Sequence, residues 1–157
     1  MDQVEKIGFS HYRIHTSIEI DATPEQVWAV LVDTKAYENW AAFMVAIGGE
    51  IEDGNTITVD FQLNPARPKR VTIDHRIEVT AGQEFFWAEK GPGGICDDHH
   101  FRIEATSDGR TRFVQSDEIK KGLTWLMGWK LSAIYRDGYQ AFNQALKQEA
   151  ERRAQAS

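Results

Sequence analysis

A histidine interrupts each of two apolar strand patterns in the sequence. His75 alternates with Ile73 and Ile77, and His99 alternates with Phe101. Because alternate residues of a strand point to the same side, both imidazoles are predicted to point inward. Imidazole titrates near neutral pH, so an inward histidine beside a carboxyl group has the chemistry of a general base. The alternative is a core histidine that hydrogen-bonds to a neighbour, because most buried polar groups find a partner.

A third strand pattern carries two more polar residues on its inward face. Gln115 and Asp117 alternate with Phe113. Either their side chains hydrogen-bond a ligand inside a cavity, or they are satisfied within the core or at the rim of the sheet. The candidate catalytic residues are therefore His75, His99 and Asp117, and the sequence completes no catalytic motif around them.

Metal, phosphate and nucleophile chemistry have little support. His99 and His100 are adjacent, and neighbouring strand residues point to opposite faces, so the pair is not expected to bind one ion. His75 and His99 lack an evident third ligand, so we predict no metal site. Dinucleotide, P-loop and nucleophile-elbow motifs are absent, and no cofactor is predicted. The single cysteine, Cys96, excludes a disulfide within the chain.

The composition describes an acidic chain. Its 157 residues include 24 acidic and 18 basic side chains, which gives a net charge of −6. We therefore expect no nucleic-acid partner, and no apolar run is long enough for stable membrane insertion. One domain is predicted over residues 1–157, with a core at about 10–150. The polar N-terminus lacks a signal-peptide pattern, so a cytoplasmic protein is expected.

Period-two alternation predicts seven strands. Their approximate bounds are 10–20, 46–52, 56–63, 70–80, 84–90, 96–106 and 110–120. After the first strand, Thr23, Pro24 and Gln26 have the spacing of a capping box that begins a helix. A second short helix is predicted over about 35–40. The chain between 43 and 121 is predicted to contain strands and turns alone.

The last predicted element is a long amphipathic helix over about 123–153. Residues at helical spacing form its predicted core stripe, which includes Leu123, Met127, Leu131, Tyr135, Gly138, Phe142 and Leu146. A glycine in the middle of a helix is unfavourable, so Gly138 indicates close approach of a strand or a ligand at that point. The order of elements predicts an α+β fold, in which seven antiparallel strands curl around this helix.

Trp125 and Trp129 lie four residues apart, on a face of this helix away from the core stripe. Three arrangements are open: a pocket lid if the helix begins later, packing beneath the loop at Gly91–Gly94, or partial exposure. Exposed rings would mark a partner surface. Homodimerisation through this region is the contact that we expect in that case.

Three motifs follow one another along the chain. The run from 18 to 28 reads IEIDATPEQVW, residues 37 to 40 read YENW, and the run from 138 to 149 reads GYQAFNQALKQE after Gly122-Leu123. Together they resemble the START-like (SRPBCC, helix-grip) superfamily, and in particular its polyketide cyclase/dehydrase branch. That branch usually has Pro soon after Trp40, whereas Ala41, Ala42 and Phe43 follow here. The loop at the pocket mouth is therefore expected to differ.

The resemblance implies an internal cavity between the sheet and the C-terminal helix. It would bind a small hydrophobic molecule, such as a lipid, a polyketide-like aromatic or an isoprenoid. The residues predicted to contact the ligand are His75, Trp87, His99, Phe101, Phe113, Gln115, Met127, Leu131, Tyr135 and Phe142.

Two other classes of function stay open. A cyclase or dehydratase would fold a flexible substrate in the same cavity and move protons with a histidine or an aspartate. It would show a buried His–Asp pair beside an open cavity. An interaction module, resembling the chaperone-ATPase activators or the carbon monoxide dehydrogenase assembly factors of the superfamily, would show a collapsed cavity and a large apolar outer patch.

Overall fold

The structure is a computed structural model that describes residues 2–156, except for the side chain of Pro92. The ends of the predicted domain, residues 1 and 157, lie outside this range. The strands are β1 (Gln3–Gly8), β2 (His11–Ile20), β3 (Met44–Gly48), β4 (Thr56–Phe61), β5 (Val71–Thr80), β6 (Glu84–Lys90), β7 (Cys96–Ala105) and β8 (Thr111–Lys120). The α-helices are α1 (Pro24–Val32), α2 (Tyr37–Trp40) and α3 (Thr124–Gln155), and short 3-10 helices occupy Thr34–Ala36 and Pro92–Gly94.

The strands form one antiparallel sheet in the order β1-β2-β8-β7-β6-β5-β4-β3, which curls around α3. The predicted α+β helix-grip architecture is therefore confirmed. The predicted number of seven strands is wrong, because the described chain has eight. The additional strand, β1, lies at the edge of the sheet and is exposed along nearly its whole length. A strand without a buried face has no apolar alternation that would reveal it.

Helix α1 begins at the predicted capping box. Gln26 N–H donates to Thr23 Oγ1 at 3.4 Å, and Thr23 N–H donates to Gln26 Oε1 at 3.0 Å. These bonds satisfy two backbone donors that a helix start would otherwise leave free. Helix α1 then buries Val27, Val30 and Leu31 and packs on α3.

The first half of α3 turns a different face to the sheet from the one predicted. Thr124, Gly128 and Ser132 are buried, whereas Leu123 and Met127 are exposed by about two-fifths. The small residues let the helix approach closely, since a Cβ atom at Gly128 would lie 2.6 Å from the ring of Tyr12. The second half follows the predicted stripe and buries residues such as Phe142 and Leu146. Among the described residues, no helix is sufficiently long and apolar to cross a bilayer.

Strand β5 changes partner halfway along its length. Residues 71–76 pair with β4, whereas Ile77 to Thr80 pair with β6. The pairing of β5 with β6 begins at Ile77 and Trp87. Residues 88–90 of β6 therefore pair with β7 on one side and have no β5 residue on the other. This separation of the two strands opens the interior of the sheet near His75 and Glu89.

Candidate functional site

A cavity of about 270 Å³ lies where β5 and β6 separate, and α3 closes its other side. Most of its wall is apolar. The apolar and aromatic lining residues are Phe43, Phe61, Leu63, Val71, Ile73, Trp87, Ile95, Ile119, Met127, Leu131, Tyr135 and Tyr139, and the remaining lining residues are His75, Glu89, Gly91, Asp97 and His99. Apolar walls with a few polar groups are typical of sites for small molecules.

His75 is a buried imidazole without a hydrogen-bond partner. Its side chain is 2% exposed, and neither ring nitrogen is bonded within the described structure. The ring stacks on Trp87 with centroids 4.4 Å apart. Burial lowers the pKa of His75 to about 4, so the ring is neutral at pH 7. A neutral imidazole has one donor and one acceptor, and both are free for a ligand here.

Two carboxyl groups lie in the same part of the wall. The pKa of Asp97 is raised to about 7, chiefly by burial and to a smaller extent by the charge of Glu89. The indole N–H of Trp87 lies near the Asp97 carboxyl group and partly offsets this increase in its pKa. The two groups do not meet the geometry of a hydrogen bond. Glu89 Oε2 lies 3.9 Å from His75 Nδ1. The cavity therefore holds a carboxyl group that titrates near neutral pH.

His99 belongs to a chain of buried side chains. Its Nε2 lies 3.0 Å from Gln115 Oε1, and Gln115 Nε2 donates to Asn143 Oδ1 at 2.6 Å and to the Tyr139 carbonyl at 3.2 Å. Asn143 Nδ2 in turn donates to Thr16 Oγ1 at 3.1 Å. Burial holds the pKa of His99 well below its usual value, so the ring is neutral. Since Gln115 presents its oxygen, we assign the proton of His99 to Nε2.

Asp117 lies behind the wall and is fully buried. Tyr139 donates its phenolic O–H to Asp117 Oδ2 at 2.7 Å, whereas Oδ1 has no partner in the described structure. Burial raises the pKa of Asp117 well above its usual range, and the charge of Asp97 raises it further. Burial therefore favours the protonated form of this carboxyl group. The phenol of Tyr139, at the cavity wall, is held in place by the Asp117 carboxyl group behind it.

The structure divides the residues predicted to contact a ligand into two groups. Those on the cavity wall are His75, Trp87, His99, Met127, Leu131 and Tyr135. Those behind the described wall, in the core, are Phe101, Phe113, Gln115 and Phe142. Helix α3 packs directly on the sheet at Phe142. The ring centroids of Phe142 and Phe113 are 6.3 Å apart, so the two rings leave no room for a ligand between them.

The sequence interpretation missed two polar residues of the wall, Asp97 and Glu89. The alternation of side chains along a strand, which predicts the inward histidines, also predicts an inward position for these two residues. Asp97 precedes His99 by two positions on β7, and Glu89 follows Trp87 by two positions on β6. Residues that share a strand face with a wall residue belong to the same side of the sheet.

The adjacent histidines point to opposite sides of β7. His99 is buried, whereas His100 stacks on Phe86 and lies 2.6 Å from Glu84 Oε1 on the outer face. In the described part of the chain, no three His, Cys, Asp or Glu side chains are grouped in a way that would hold a metal ion. The partners of His99 and Asp117 are Gln115 and Tyr139, so the hydrogen-bonded His–Asp pair expected of an enzyme does not form between them.

Trp125 and Trp129 are exposed, by 53% and 66%, so the third of the predicted arrangements is the one observed. Trp125 stacks on Phe9, with centroids 6.3 Å apart and planes inclined by 7°. The loop at Gly91–Gly94 instead contacts Leu123, whose N–H donates to the Gly93 carbonyl at 3.0 Å. An open cavity and an outer apolar patch are therefore both present.

A sheet that curls around a long C-terminal helix, over a cavity lined by aromatic side chains, defines a START-like protein of the helix-grip class. The match of residues 11–151 to a family profile makes the assignment more specific. The chain belongs to the family described as polyketide cyclase/dehydrase and lipid transport.

Solved structures with the same fold include two aromatase/cyclases. The Zhui aromatase/cyclase from Streptomyces sp. R1128 is 17% identical, with a TM-score of 0.74 over 91% of this chain and 95% of that one. The di-domain StfQ of the steffimycin biosynthetic pathway is 11% identical, with a TM-score of 0.73 over 93% of this chain and 53% of that one.

A START superfamily protein from Mycobacterium smegmatis is also similar in structure. It is 13% identical, with a TM-score of 0.71 over 89% of this chain and 97% of that one. These identities are low, so the comparisons show the shared fold. The search of curated proteins found no significant match.

Proposed function

We propose that the protein binds a small, neutral, hydrophobic molecule in the cavity between β5, β6 and α3. The observation that carries this proposal is the unpartnered, neutral imidazole of His75 in a mostly apolar wall. A buried polar group without a partner costs roughly 1–3 kcal/mol. A ligand with a hydroxyl or carbonyl group would remove that cost while burying its own apolar surface.

The size of the cavity limits the ligand. An apolar cavity of about 150 Å³ holds one benzene ring, and sites for drug-sized ligands start at about 300 Å³. At about 270 Å³, the cavity has room for roughly two rings on that scale. A two-ring aromatic or a short isoprenoid therefore suits it better than a long acyl chain.

The polarity of the wall limits the ligand further. His75 offers a donor and an acceptor, whereas Asp97 and Glu89 offer carboxyl groups. An anionic ligand would meet the Glu89 carboxylate in a setting of low dielectric constant, where repulsion is strong. We therefore infer a neutral ligand with a phenol or ketone group, as in polyketide-like aromatics.

We further propose that the chain acts as one cytoplasmic domain. Helix α3 reaches back to β2 and to α1, which ties the two ends of the sequence together. The thiol of Cys96 is free, and free thiols suit a reducing compartment.

Titration with 2-naphthol, a neutral two-ring phenol, tests this function. We expect binding by calorimetry, and a loss of about tenfold in affinity for His75→Phe, which keeps the ring stack but removes both nitrogens. The matched control is His100→Phe on the outer face of β7, which should bind as the wild type does. Equal affinities for the two variants would contradict a ligand contact at His75. Native mass spectrometry of the protein from its own host would identify a bound natural ligand.

Cyclase or dehydratase chemistry is the second candidate, and Asp97 favours it. A wall carboxyl group with a pKa of about 7 is suited to give and take protons near neutral pH. The probe 3-hydroxy-1-tetralone would lose its C2 proton to a base and its protonated C3 hydroxyl as water, giving 1-naphthol after tautomerisation. We expect a slower rate, by at least about tenfold, in Asp97→Asn with unchanged 2-naphthol affinity. A wild-type rate equal to that in buffer would leave binding as the function.

A further inference from the structure

Large apolar side chains are exposed together at one end of the molecule. We define the aromatic tip as Phe9 in the β1–β2 turn and the residues Leu123, Trp125, Leu126 and Trp129 at the start of α3. The exposed fraction is 76% for Phe9 and 57% for Leu126. Phe9 stacks on Trp125, so the turn and the helix form one surface. Exposed apolar patches of this kind mark sites of interaction.

The aromatic tip is continuous with the mouth of the cavity. Met127 lies between residues of the tip on α3, is partly exposed, and lines the cavity. Leu63, in the β4–β5 loop, is also both exposed and part of the wall. An apolar molecule that leaves the cavity at this point would therefore meet the tip before it meets water.

The strand register shows which loops surround this mouth. His11, Lys120, Cys96 and Lys90 follow one another across β2, β8, β7 and β6. The connections at this end of the sheet are therefore residues 9–10, 41–43, 62–70, 91–95 and 121–123. Connections 21–23, 49–55, 81–83 and 106–110 lie at the opposite end.

These two ends carry opposite charge. The connections at the mouth contain four basic residues and no acidic one, namely Arg67, Lys69, Arg70 and Lys121. The connections at the opposite end contain one basic residue, Arg110, and five acidic ones, namely Asp21, Glu50, Glu52, Asp53 and Asp108. A chain with a net charge of −6 therefore places an excess of positive charge in the loops around its cavity mouth, whereas the acidic Glu89 and Asp97 line the cavity itself.

Most of this positive charge is available to a partner. Arg70 lies near Glu38 and Asp60. Arg67, Lys69 and Lys121 take part in no ion pair among residues 2–156, and neither does Lys130, which follows Trp129 on α3. Basic side chains around exposed tryptophan are the composition that binds the interface of an anionic bilayer.

We propose that the mouth end of the protein docks on an anionic lipid bilayer. The aromatic tip enters the headgroup region, the basic loops lie over the lipid phosphates, and the cavity opens toward the acyl chains. This inference rests on the proposed function, because it supplies the route by which an apolar ligand enters. The acidic opposite end points away from the surface, so electrostatic attraction also orients the molecule.

The charge distribution favours a bilayer over the homodimer predicted from the sequence. A twofold dimer places the same patch of each copy against its partner. Lys121 and Lys130 of both copies would then lie in one interface around the aromatic tips, and like charges at an interface are unfavourable. An anionic surface turns the same residues into favourable contacts.

Cosedimentation with lipid vesicles tests the proposal. We expect the wild type to bind vesicles that contain roughly a third phosphatidylserine in phosphatidylcholine, and to bind pure phosphatidylcholine at least about tenfold more weakly. Raising the salt concentration should weaken the binding, because the Debye length shortens. Tryptophan emission should shift to shorter wavelength as the rings leave water.

Two variants separate the apolar and the electrostatic contributions. Trp125→Ser/Trp129→Ser and Lys121→Glu/Lys130→Glu should each weaken binding to the anionic vesicles by at least about tenfold. Lys35→Glu is the control for charge, since Lys35 is exposed and lies beside Glu50 and Glu52 of the opposite end. It should bind the vesicles as the wild type does.

Each result decides the proposal. No binding of the wild type to anionic vesicles at low salt would overturn it, and so would equal weakening by all three variants. A wild-type dimer in sedimentation that dissociates in the tryptophan variant, without vesicle binding, would assign the tip to a second copy. Affinity for 2-naphthol in solution, measured on the same variants, should not change. If the wild type did not bind 2-naphthol, that result would instead count against the proposed ligand site.

Discussion

The ring of Phe43 lies directly against the backbone of Gly138 in α3. A Cβ atom at Gly138 would lie 2.3 Å from Phe43 Cδ2, which is far inside van der Waals contact. Phe43 itself has a φ of 68°, a left-handed backbone conformation that residues other than glycine rarely adopt. The close approach predicted from the glycine is thus made by this ring, which also lines the cavity.

Gly138→Ala should destabilise the protein, although alanine favours helices. The propensity gain of about 1 kcal/mol is outweighed by the collision with Phe43, and overpacking of this kind costs about 1–3 kcal/mol. Urea denaturation measures the free energy of unfolding. In a Phe43→Ala background the collision is gone, so the same substitution should become neutral or stabilising there. Equal effects in the two backgrounds would contradict this explanation.

Gln115→Leu should destabilise the protein by several kcal/mol. It removes the partner of His99 and of Asn143 at once, and each buried group left without a hydrogen bond costs about 1–3 kcal/mol. His100→Ala is the control, since it breaks a half-exposed pair with Glu84 worth about 1 kcal/mol or less. Denaturant midpoints of the two variants give the comparison, and similar midpoints would count against the buried chain.

The His75 imidazole should make the protein less stable in acid. Its pKa is about 4 when folded and 6.5 as a free side chain, so the unfolded chain takes up the proton first as the pH falls. The side chain of His75 thus makes the folded state about 3 kcal/mol less stable below pH 4 than above pH 6.5. The unfolding free energy of the wild type should fall in this window relative to that of His75→Phe. Parallel pH profiles would show that the pKa is not lowered.

Asp97 should have the opposite pH dependence. Its pKa is about 7 when folded against 3.8 as a free side chain, so the folded protein holds the proton more tightly. Stability from this group is present below pH 3.8 and is lost as the pH rises through about 7. Asp97→Asn should therefore gain stability relative to the wild type on going from pH 4 to pH 8, by thermal unfolding. A constant difference would show that the pKa of Asp97 is not raised in the folded protein.

The sequence predicted those elements whose burial is periodic. Alternation predicts strand β6 over 84–90, where the structure has it, and the predicted capping box of Thr23 and Gln26 forms. Strand β1 has no buried face, so periodicity carried no information about it. Where α3 packs through Gly128, the approach of the backbone to Tyr12 decided the buried face rather than the size of the apolar side chains.

The candidate site was harder to predict, for a physical reason. The alternation of apolar residues along the strands predicts that His75 and Phe113 both point inward. It does not predict whether other side chains fill the space in front of them. That depends on the position of α3 and on the separation of β5 from β6. Phe113 therefore lies in solid core and His75 on a cavity wall, although the two strand patterns look alike in the sequence.

The change of partner along β5 has a consequence for how the protein can vary. The interior is divided into a solid half around Phe113 and Phe142, whose rings are fully buried, and a hollow half around Ile73 and Leu131. Substitutions in the solid half lose tight packing and so cost stability. Side chains of the hollow half already border the cavity on one side, so substituting them lowers the stability of the fold by less. Ligand preference can therefore drift over generations while the scaffold stays folded, because the two properties depend on different residues.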